Sequence, residues 1–252
     1  LLNKNNKQLN DVSIILQSYI YKSTNALLPI KYTFSENINA IVIETRFKGN
    51  NFYNYNSLDE DGFIIKEYNN SVIISGKTDW GTEFGVYHFL ETFVGVKWLV
   101  PTELWTEIPK LVNLQIKDVS IEENPTFISR KLFPIEIEKQ GPLNVWGRFN
   151  RIRYRIEFHH NMKNLFKVDE IKKNHLEFLP IVNGKRYIPT SNSDYKWQPN
   201  FKAKGIDEYA AQEIIKYFKN NPDKNSYSLG INDSGNFDDS NKISKNKDKY
   251  VI

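Results

Sequence analysis

Short segments in the first half of the chain alternate between hydrophobic and polar residues. Such alternation at 40–47, 62–66 and 72–75 predicts half-buried β-strands. Asn69 and Asn70 separate the last two segments, and asparagine tolerates the positive φ that a two-residue hairpin turn needs. The pattern therefore predicts a small sheet that contains one tight hairpin.

Two longer segments of the same half have the three-to-four residue period of amphipathic helices. The first covers residues 8–24, with Asn25 as a C-cap, and the second opens at Thr78 or Asp79 and ends at Gly95. A short strand at 96–100 follows. Helices and strands together predict an N-terminal α/β domain over residues 1–120.

The second half has a different rhythm, in which strand-like and helix-like segments take turns. Strands are predicted at 127–133, 155–159 and 226–231, and helices at 143–152 and 206–220. This order is typical of βα units in a parallel sheet or barrel. The predicted fold class is therefore α/β, with an N-terminal α+β sandwich followed, over residues 121–252, by the first units of an incomplete (β/α)8 barrel.

Composition narrows the functional class only a little. Hydrophobic residues make up 40% and aromatic residues 14% of the 252 residues, which is enough for a folded core. The formal net charge of +4 does not indicate a dedicated nucleic-acid-binding protein. The absence of cysteine excludes disulfides, thiolate zinc sites and cysteine nucleophiles. No apolar run reaches the ~18 residues of a membrane-spanning helix, so none is expected.

Two local patterns allow functional interpretations that we consider weaker than structural ones. Residues 57–62 resemble a calcium-binding loop, but Tyr68 stands where the bidentate glutamate belongs. Four arginines interleave with aromatic residues, as in some nucleic-acid-binding segments, although a helix surface explains them better. These arginines are Arg148, Arg151, Arg153 and Arg155. We expect neither a metal nor another cofactor.

Residues 61–110 combine the hairpin, the second helix and the short strand in one block. This block resembles the N-terminal α/β domain of α-glucuronidases and β-hexosaminidases. In those families the domain precedes a (β/α)8 barrel that hydrolyses glycosides. The resemblance implies that the chain is the front part of a glycoside-hydrolase-type protein.

The second half carries four further motifs in a fixed order. They are WGRFNR at 146–151, the histidine pair at 159–160, FLPIVNGKR at 178–186 and GIND at 230–233. Together they are similar to a bacterial family of unknown function of the glycoside-hydrolase-barrel type. That family often carries cysteines where this chain has GNFDD at 235–239, so no metal or disulfide role is carried over to this segment.

The resemblance implies an exported carbohydrate-active protein, an α-glucuronidase-like or hexosaminidase-like glycosidase acting on oligosaccharides or polysaccharides. The alternative is a non-catalytic protein that keeps the fold and binds carbohydrate or acts as a scaffold. The expected partner is therefore a carbohydrate, and Arg130 and Lys131 favour acidic sugars. No nucleic-acid partner is expected.

Barrel enzymes place their chemistry at the carboxyl ends of strands, and this rule selects the candidate residues. Arg130 lies within the first predicted strand, and one of His159 and His160 is expected to face the site. Asn232 and Asp233 end the third strand, and Asp233 is the candidate catalytic carboxylate unless it only binds a sugar hydroxyl.

Two further residues complete the predicted substrate-binding set. Trp146 either stacks on a sugar face or fills the core, and Arg186 belongs to the 178–186 motif. Glycoside hydrolysis normally needs a second carboxylate, which the strand assignment does not supply. We therefore expect this piece by itself to bind glycosides weakly and not to hydrolyse them.

Overall fold

A computed structural model describes residues 6–33, 39–49 and 52–240 of the chain. The polypeptide forms two compact units, unit 1 over residues 1–155 and unit 2 over residues 156–252. The structure is of the mixed α/β class, with a four-stranded mixed sheet and six helices among the described residues. The domain division at residue 120 stays a prediction.

The sheet of unit 1 has the strand order β1-β3-β2-β6, in which β1 is parallel to β3 and the other pairs are antiparallel. Its strands are β1 (Ile41–Ile43), β2 (Phe63–Tyr68), β3 (Ser71–Gly76) and β6 (Ser120–Glu123). A separate two-stranded ribbon pairs β4 (Lys97–Trp98) with β5 (Thr106–Glu107). Strand β1 is thus shorter than the strand predicted at 40–47.

The hairpin between β2 and β3 has the predicted turn. Asn69 has a φ of 46° and Asn70 a φ of 61°, and Tyr68 pairs with Ser71 across the turn. Two consecutive positive φ values match the right-handed twist of the strands, so the turn fixes the register of the pair. All residues of β3 are buried, since β3 lies between β1 and β2 in the sheet.

The helices of unit 1 begin and end at capping residues that the sequence contains. They are α1 (Lys7–Thr24), α2 (Asp79–Phe89) and α3 (Pro142–Phe149). The Asn6 side chain accepts a hydrogen bond from the Leu9 amide, and the Thr78 side chain accepts one from Gly81. Asn25 has the left-handed conformation of a C-cap, as predicted. A π-helical turn over Leu90–Val94 continues α2 to Gly95.

Helices α1 and α2 pack on the sheet and form the main core of unit 1. Ile65 and Ile74 of the sheet contribute to this core, as do Phe84 and Leu90 of the helical layer, and all four are at most 1% exposed. Gly85 permits the close approach of α2, because a Cβ atom there would lie 2.9 Å from Cγ2 of Ile74. This packing explains the glycine without a ligand.

The strands predicted for the second half are wrong. Segments 127–133 and 226–231 contain one isolated bridge residue each, Arg130 paired antiparallel with Arg153 and Gly230 paired parallel with His160, and segment 155–159 contains none. Alternating apolar residues form strands where another layer covers one face, whereas Phe127 is 72% exposed and Phe158 77%. The residues that the structure describes form no barrel.

Unit 2 combines helices with long irregular segments, and its last helix has the predicted bounds. Its elements are α4 (Met162–Leu165), α5 (Val168–Asn174), β7 (Ile181–Val182), β8 (Lys185–Arg186) and α6 (Ile206–Asn220). Asn183 and Gly184 have positive φ values and form the turn between β7 and β8. Trp197 and Leu179 are fully buried in its core, whereas Ile215 of α6 is 54% exposed.

Candidate functional site

Arg130, predicted to bind substrate, lies in unit 1 and is bonded to the protein itself. Its Nη2 lies 2.6 Å from Oδ2 of Asp61. Its Nε donates to the carbonyl oxygen of Arg151 at 2.7 Å, and its Nη1 donates to that of Phe127 at 2.7 Å. Because Asp61 is completely buried, this pair joins segments of the fold and does not present a free cation to a sugar carboxylate.

The four interleaved arginines are also paired with acids of unit 1. The pairs are Arg148 with Glu83, Arg151 with Glu91, Arg153 with Asp61, and Arg155 with Asp59 and Glu60. The acids of the loop that resembles a calcium site thus face guanidinium groups in place of a metal ion. Within the described ranges, no group of three acidic, histidine or cysteine residues could hold a metal. These contacts give both patterns structural roles, but the expected helix surface is wrong for three of the four arginines, because α3 ends at Phe149.

Trp146 is half-buried in unit 1 and packs against its main core. Its Nε1 donates a hydrogen bond of 2.9 Å to the carbonyl oxygen of Trp98. A tryptophan with its N–H engaged and its ring in the core contributes to packing. Of the two roles left open for Trp146, the geometry favours filling the core.

Three of the predicted residues of unit 2 bind the backbone of that unit. Asn232 is 2% exposed, its Nδ2 donates to Trp197 at 2.7 Å, and its Oδ1 accepts from the Lys163 amide at 3.0 Å. Nη1 of Arg186 donates to two backbone carbonyl oxygens, at 2.7 Å each. Nδ1 of His160 lies 2.5 Å from the carbonyl oxygen of Ile231. These contacts hold loops in place.

Asp233, the candidate catalytic carboxylate, is exposed, and no hydrogen bond or ion pair joins it to another residue of the described chain. It also lies outside the lining of the cleft described below. Its catalytic role stays a prediction. The expected convergence of Arg130, one histidine and Asp233 involves both units and likewise stays a prediction.

Unit 2 contains a polar cleft of about 420 Å³. One wall is a face of α6, where Glu213, Lys216, Tyr217 and Asn220 follow one another at helical spacing. The facing walls consist of Glu157, His159 and Asn161, the end of α4 with Asn164 and Leu165, Lys167, and residues 227–228. Of the predicted site residues, only His159 lines this cleft.

Serine hydroxyls align the two extended segments that form the wall opposite α6. The Glu157 amide donates to Oγ of Ser226 and the His159 amide to Oγ of Ser228, both at 2.9 Å. The Ser228 hydroxyl in turn donates to the carbonyl oxygen of His159 at 2.5 Å. The wall therefore depends on side-chain hydrogen bonds where a regular strand pair would have backbone ones.

Two carboxylates line the cleft, and each faces a cation. Oε1 of Glu213 lies 3.5 Å from the Lys216 ammonium, and Oε1 of Glu157 lies 3.9 Å from the Lys224 ammonium. Oε2 of Glu157 lies 3.5 Å from Nδ1 of His159. Both side chains are partly accessible, with 19% of Glu213 and 33% of Glu157 exposed. The carboxylates can therefore accept hydrogen bonds from a ligand.

Two tyrosines form the aromatic part of the cleft. The rings of Tyr217 and Tyr227 meet edge to face, with 4.8 Å between their centroids. Burial raises the pKa of Tyr227. A hydrogen bond with Asn161 lowers it in part, and Tyr217 and Glu213 raise it further. One turn before Glu213, burial and the charges of Glu170 and Glu213 raise the pKa of Tyr209 to about 12. Tyr227 is therefore protonated at neutral pH and can donate its hydroxyl hydrogen.

Four residues of the cleft were not predicted from the sequence, namely Glu157, Glu213, Tyr217 and Tyr227. One signal was readable, because Glu213, Lys216, Tyr217 and Asn220 form a stripe of hydrogen-bonding residues on the predicted helix 206–220. Such a stripe usually marks a solvated helix face, and only the fold shows that other segments lie opposite it. Glu157 gave no comparable signal.

Comparison with known proteins adds no family. Neither a protein-family model nor a curated protein sequence matches the chain. The part of the chain that the structure describes contains no helix of the length and apolarity that crossing a membrane requires. The function of this protein is therefore inferred from the cleft and from the resemblance of the motifs.

Proposed function

We propose that the protein is carbohydrate-active and that the cleft of unit 2 is its saccharide site. The observation that carries the proposal is the combination of two accessible carboxylates with two tyrosine rings in one cleft of about 420 Å³. Sugars present hydroxyl groups around their edges and apolar C–H groups on their faces. Carboxylates bind the hydroxyls, and aromatic rings cover the apolar faces.

The size of the cleft suits this class of ligand. Small-molecule sites usually have volumes of about 300–1,000 Å³ and combine apolar area with a few placed polar groups. Tyr217, Tyr227 and Leu165 supply apolar area, while Glu157 and Glu213 supply placed oxygen atoms. A cleft of this size holds one or two sugar residues of a longer chain.

The resemblance of the motifs supports a finer proposal about the fold. In the glycoside-hydrolase-type families, the second half of the chain would begin a (β/α)8 barrel. The parallel bridge between His160 and Gly230 supports this proposal, whereas the antiparallel bridge between Arg130 and Arg153 does not. In that proposal the protein is exported and acts on oligosaccharides or polysaccharides outside the cytoplasm.

The cleft suits binding more directly than hydrolysis. A glycosidase normally holds two carboxyl groups about 5–9.5 Å apart across the scissile bond, and one of them donates a proton. Glu157 and Glu213 are the two acidic residues of the lining, and each has a lysine ammonium within 4 Å. Such pairing suits an acceptor of sugar hydroxyls, which favours the non-catalytic alternative for this chain alone.

Calorimetric titration with a panel of oligosaccharides tests the proposal. We expect measurable binding by the wild-type chain and a loss of tenfold or more in Glu213→Gln, because hydrogen bonds to charged groups contribute about 1.5–3 kcal/mol. Tyr217→Ala should weaken binding similarly by removing the ring contact.

Glu208→Gln is the matched control, since Glu208 lies exposed on the same helix outside the cleft lining. Circular dichroism checks that each variant is folded, and aryl glycosides report hydrolysis. Equal affinity in wild type, Glu213→Gln and Tyr217→Ala would contradict the cleft as the site. Binding of no member of the panel would contradict the function itself.

A further inference from the structure

We infer that the cleft of unit 2 selects neutral saccharides with adjacent free hydroxyls over saccharides that carry a carboxylate. This inference rests on the saccharide site proposed above and names its ligand class. It differs from the sequence-based expectation, which favoured acidic sugars because of Arg130 and Lys131.

The residues behind the acidic-sugar expectation are engaged elsewhere. Arg130 is paired with the buried Asp61 in unit 1. The Lys131 ammonium lies 4.0 Å from the centre of the Tyr154 ring, also in unit 1. No arginine lines the cleft of unit 2, so the forked donor that binds carboxylates best is missing from that lining.

The cleft also offers little unpaired positive charge to an anionic ligand. Glu157 and Glu213 would repel a third carboxylate held within the same space of about 420 Å³. The ammonium of Lys216 already faces Glu213, which leaves Lys167 as the cation of the lining that is not paired with an acid in the described residues. Lys216 and Lys224 face the two carboxylates, so a bound uronate would find only this exposed lysine, a mobile point charge that lacks the forked geometry of a guanidinium.

The carboxylates of the lining favour a ligand that donates hydrogen bonds. Asn161 donates from Nδ2 to the Ser228 carbonyl at 3.0 Å, Asn164 to Oδ1 of Asn161 at 2.9 Å, and Asn221 to the Tyr217 carbonyl at 2.8 Å. The amide donors are therefore partly engaged, while the carboxylates retain acceptor capacity. Two neighbouring sugar hydroxyls can each donate a hydrogen bond to one carboxylate. A uronate group, in contrast, can only accept hydrogen bonds and offers the carboxylates nothing.

Matched sugar pairs that differ only at C6 test the inference. The probes are methyl glucoside against methyl glucuronide and methyl galactoside against methyl galacturonide, titrated by NMR at neutral pH. We expect wild type to bind the neutral member about tenfold more tightly in at least one pair.

Glu213→Gln separates selectivity from simple loss of the fold. This variant removes one negative charge and keeps the shape, so we expect the neutral member to bind more weakly and the preference to fall to about threefold or less. Glu208→Gln, on the same helix, should keep the preference of wild type.

The outcomes distinguish this inference from the proposed function. Uronides that bind as tightly as the neutral sugars, or more tightly, would overturn the neutral preference and leave the saccharide site standing. The same holds if Glu213→Gln keeps the full preference of wild type. Tighter binding of methyl glucosaminide, a cationic probe, would also overturn it in favour of an amine ligand. Binding of none of the probes or of longer oligosaccharides would remove the saccharide site itself.

Discussion

Replacing Glu83 by alanine is expected to lower the free energy of unfolding of unit 1 by about 3–5 kcal/mol, the usual cost of breaking a buried ion pair. The Glu83 side chain is completely buried, and Arg148 binds it with two nitrogens at 2.7 and 2.8 Å. The Tyr87 hydroxyl and Nε2 of Gln8 also donate to it, each at 2.6 Å. The substitution leaves four donor groups, from three residues, around an empty space.

Charge is the main reason for the size of this effect. Burial by itself lowers the pKa of Arg148. The hydrogen bonds and the charge of Glu83 outweigh this effect, so that the pKa of Arg148 is raised. Burial and the negative charge of Glu83 raise the pKa of Tyr87 well above its usual value. Without Glu83, the Arg148 guanidinium, only 23% exposed, loses the anion that compensates its desolvation.

Urea unfolding followed by tryptophan fluorescence measures this change. Glu91→Ala is the matched control, because the Glu91–Arg151 pair has a similar distance of 2.6 Å but is about 30% exposed on both sides. Exposed pairs contribute about 0–1 kcal/mol, so the control should unfold at nearly the wild-type urea concentration. The double variant Glu83→Leu/Arg148→Met should recover most of the stability, since apolar replacements remove both charges. A loss in Glu83→Ala no larger than that in Glu91→Ala would show the prediction to be wrong.

Replacing Asp61 by asparagine is expected to destabilise unit 1 by about 3 kcal/mol. Asp61 is fully buried, pairs with Arg130 at 2.6 Å and with Arg153, and lies 3.9 Å from Arg155. Without the charge of Asp61, these guanidinium groups remain close to one another and repel each other, because their shared anion is missing. The backbone bridge between Arg130 and Arg153 should also weaken, because Asp61 holds both side chains.

Hydrogen exchange and urea unfolding together test this second prediction. The Arg130 amide donates to the Arg153 carbonyl at 2.6 Å, and its exchange should become faster in Asp61→Asn. Glu60→Gln serves as the control, since Glu60 is 48% exposed and faces Arg155 at 3.2 Å. If Asp61→Asn and Glu60→Gln cost the same, the buried charge is not what joins these segments.

Local signals in the sequence predicted the elements that local interactions determine. The hairpin at Asn69 and Asn70 and the bounds of α6 depend on turn and helix preferences of a few neighbouring residues. The three strands of the second half could not be predicted in the same way. Their alternation is real, but strand formation depends on partners distant in sequence, and apolar residues such as Phe127 and Phe158 remain exposed.

The candidate site was predictable only at His159, for a related reason. The cleft combines residues 157–161 with Glu213 and Tyr227, which are more than fifty residues further along the chain. No spacing rule connects such segments before the fold is known. Asn232 and Arg186 are polar residues that looked functional, but both donate hydrogen bonds to backbone carbonyl oxygens. Where few strands pair, side chains have to supply the hydrogen bonds that buried backbone groups need.

The most direct test of the saccharide site is a titration of the ¹⁵N-labelled chain with a neutral oligosaccharide, followed by amide chemical shifts. We predict shifts concentrated at residues 157–161, on α6 around Glu213 and Tyr217, and at Tyr227, with the surroundings of Arg130 and Trp146 unchanged. Shifts centred on Arg130 and Trp146, or no shift at any attainable concentration, would contradict the assignment of the site to this cleft.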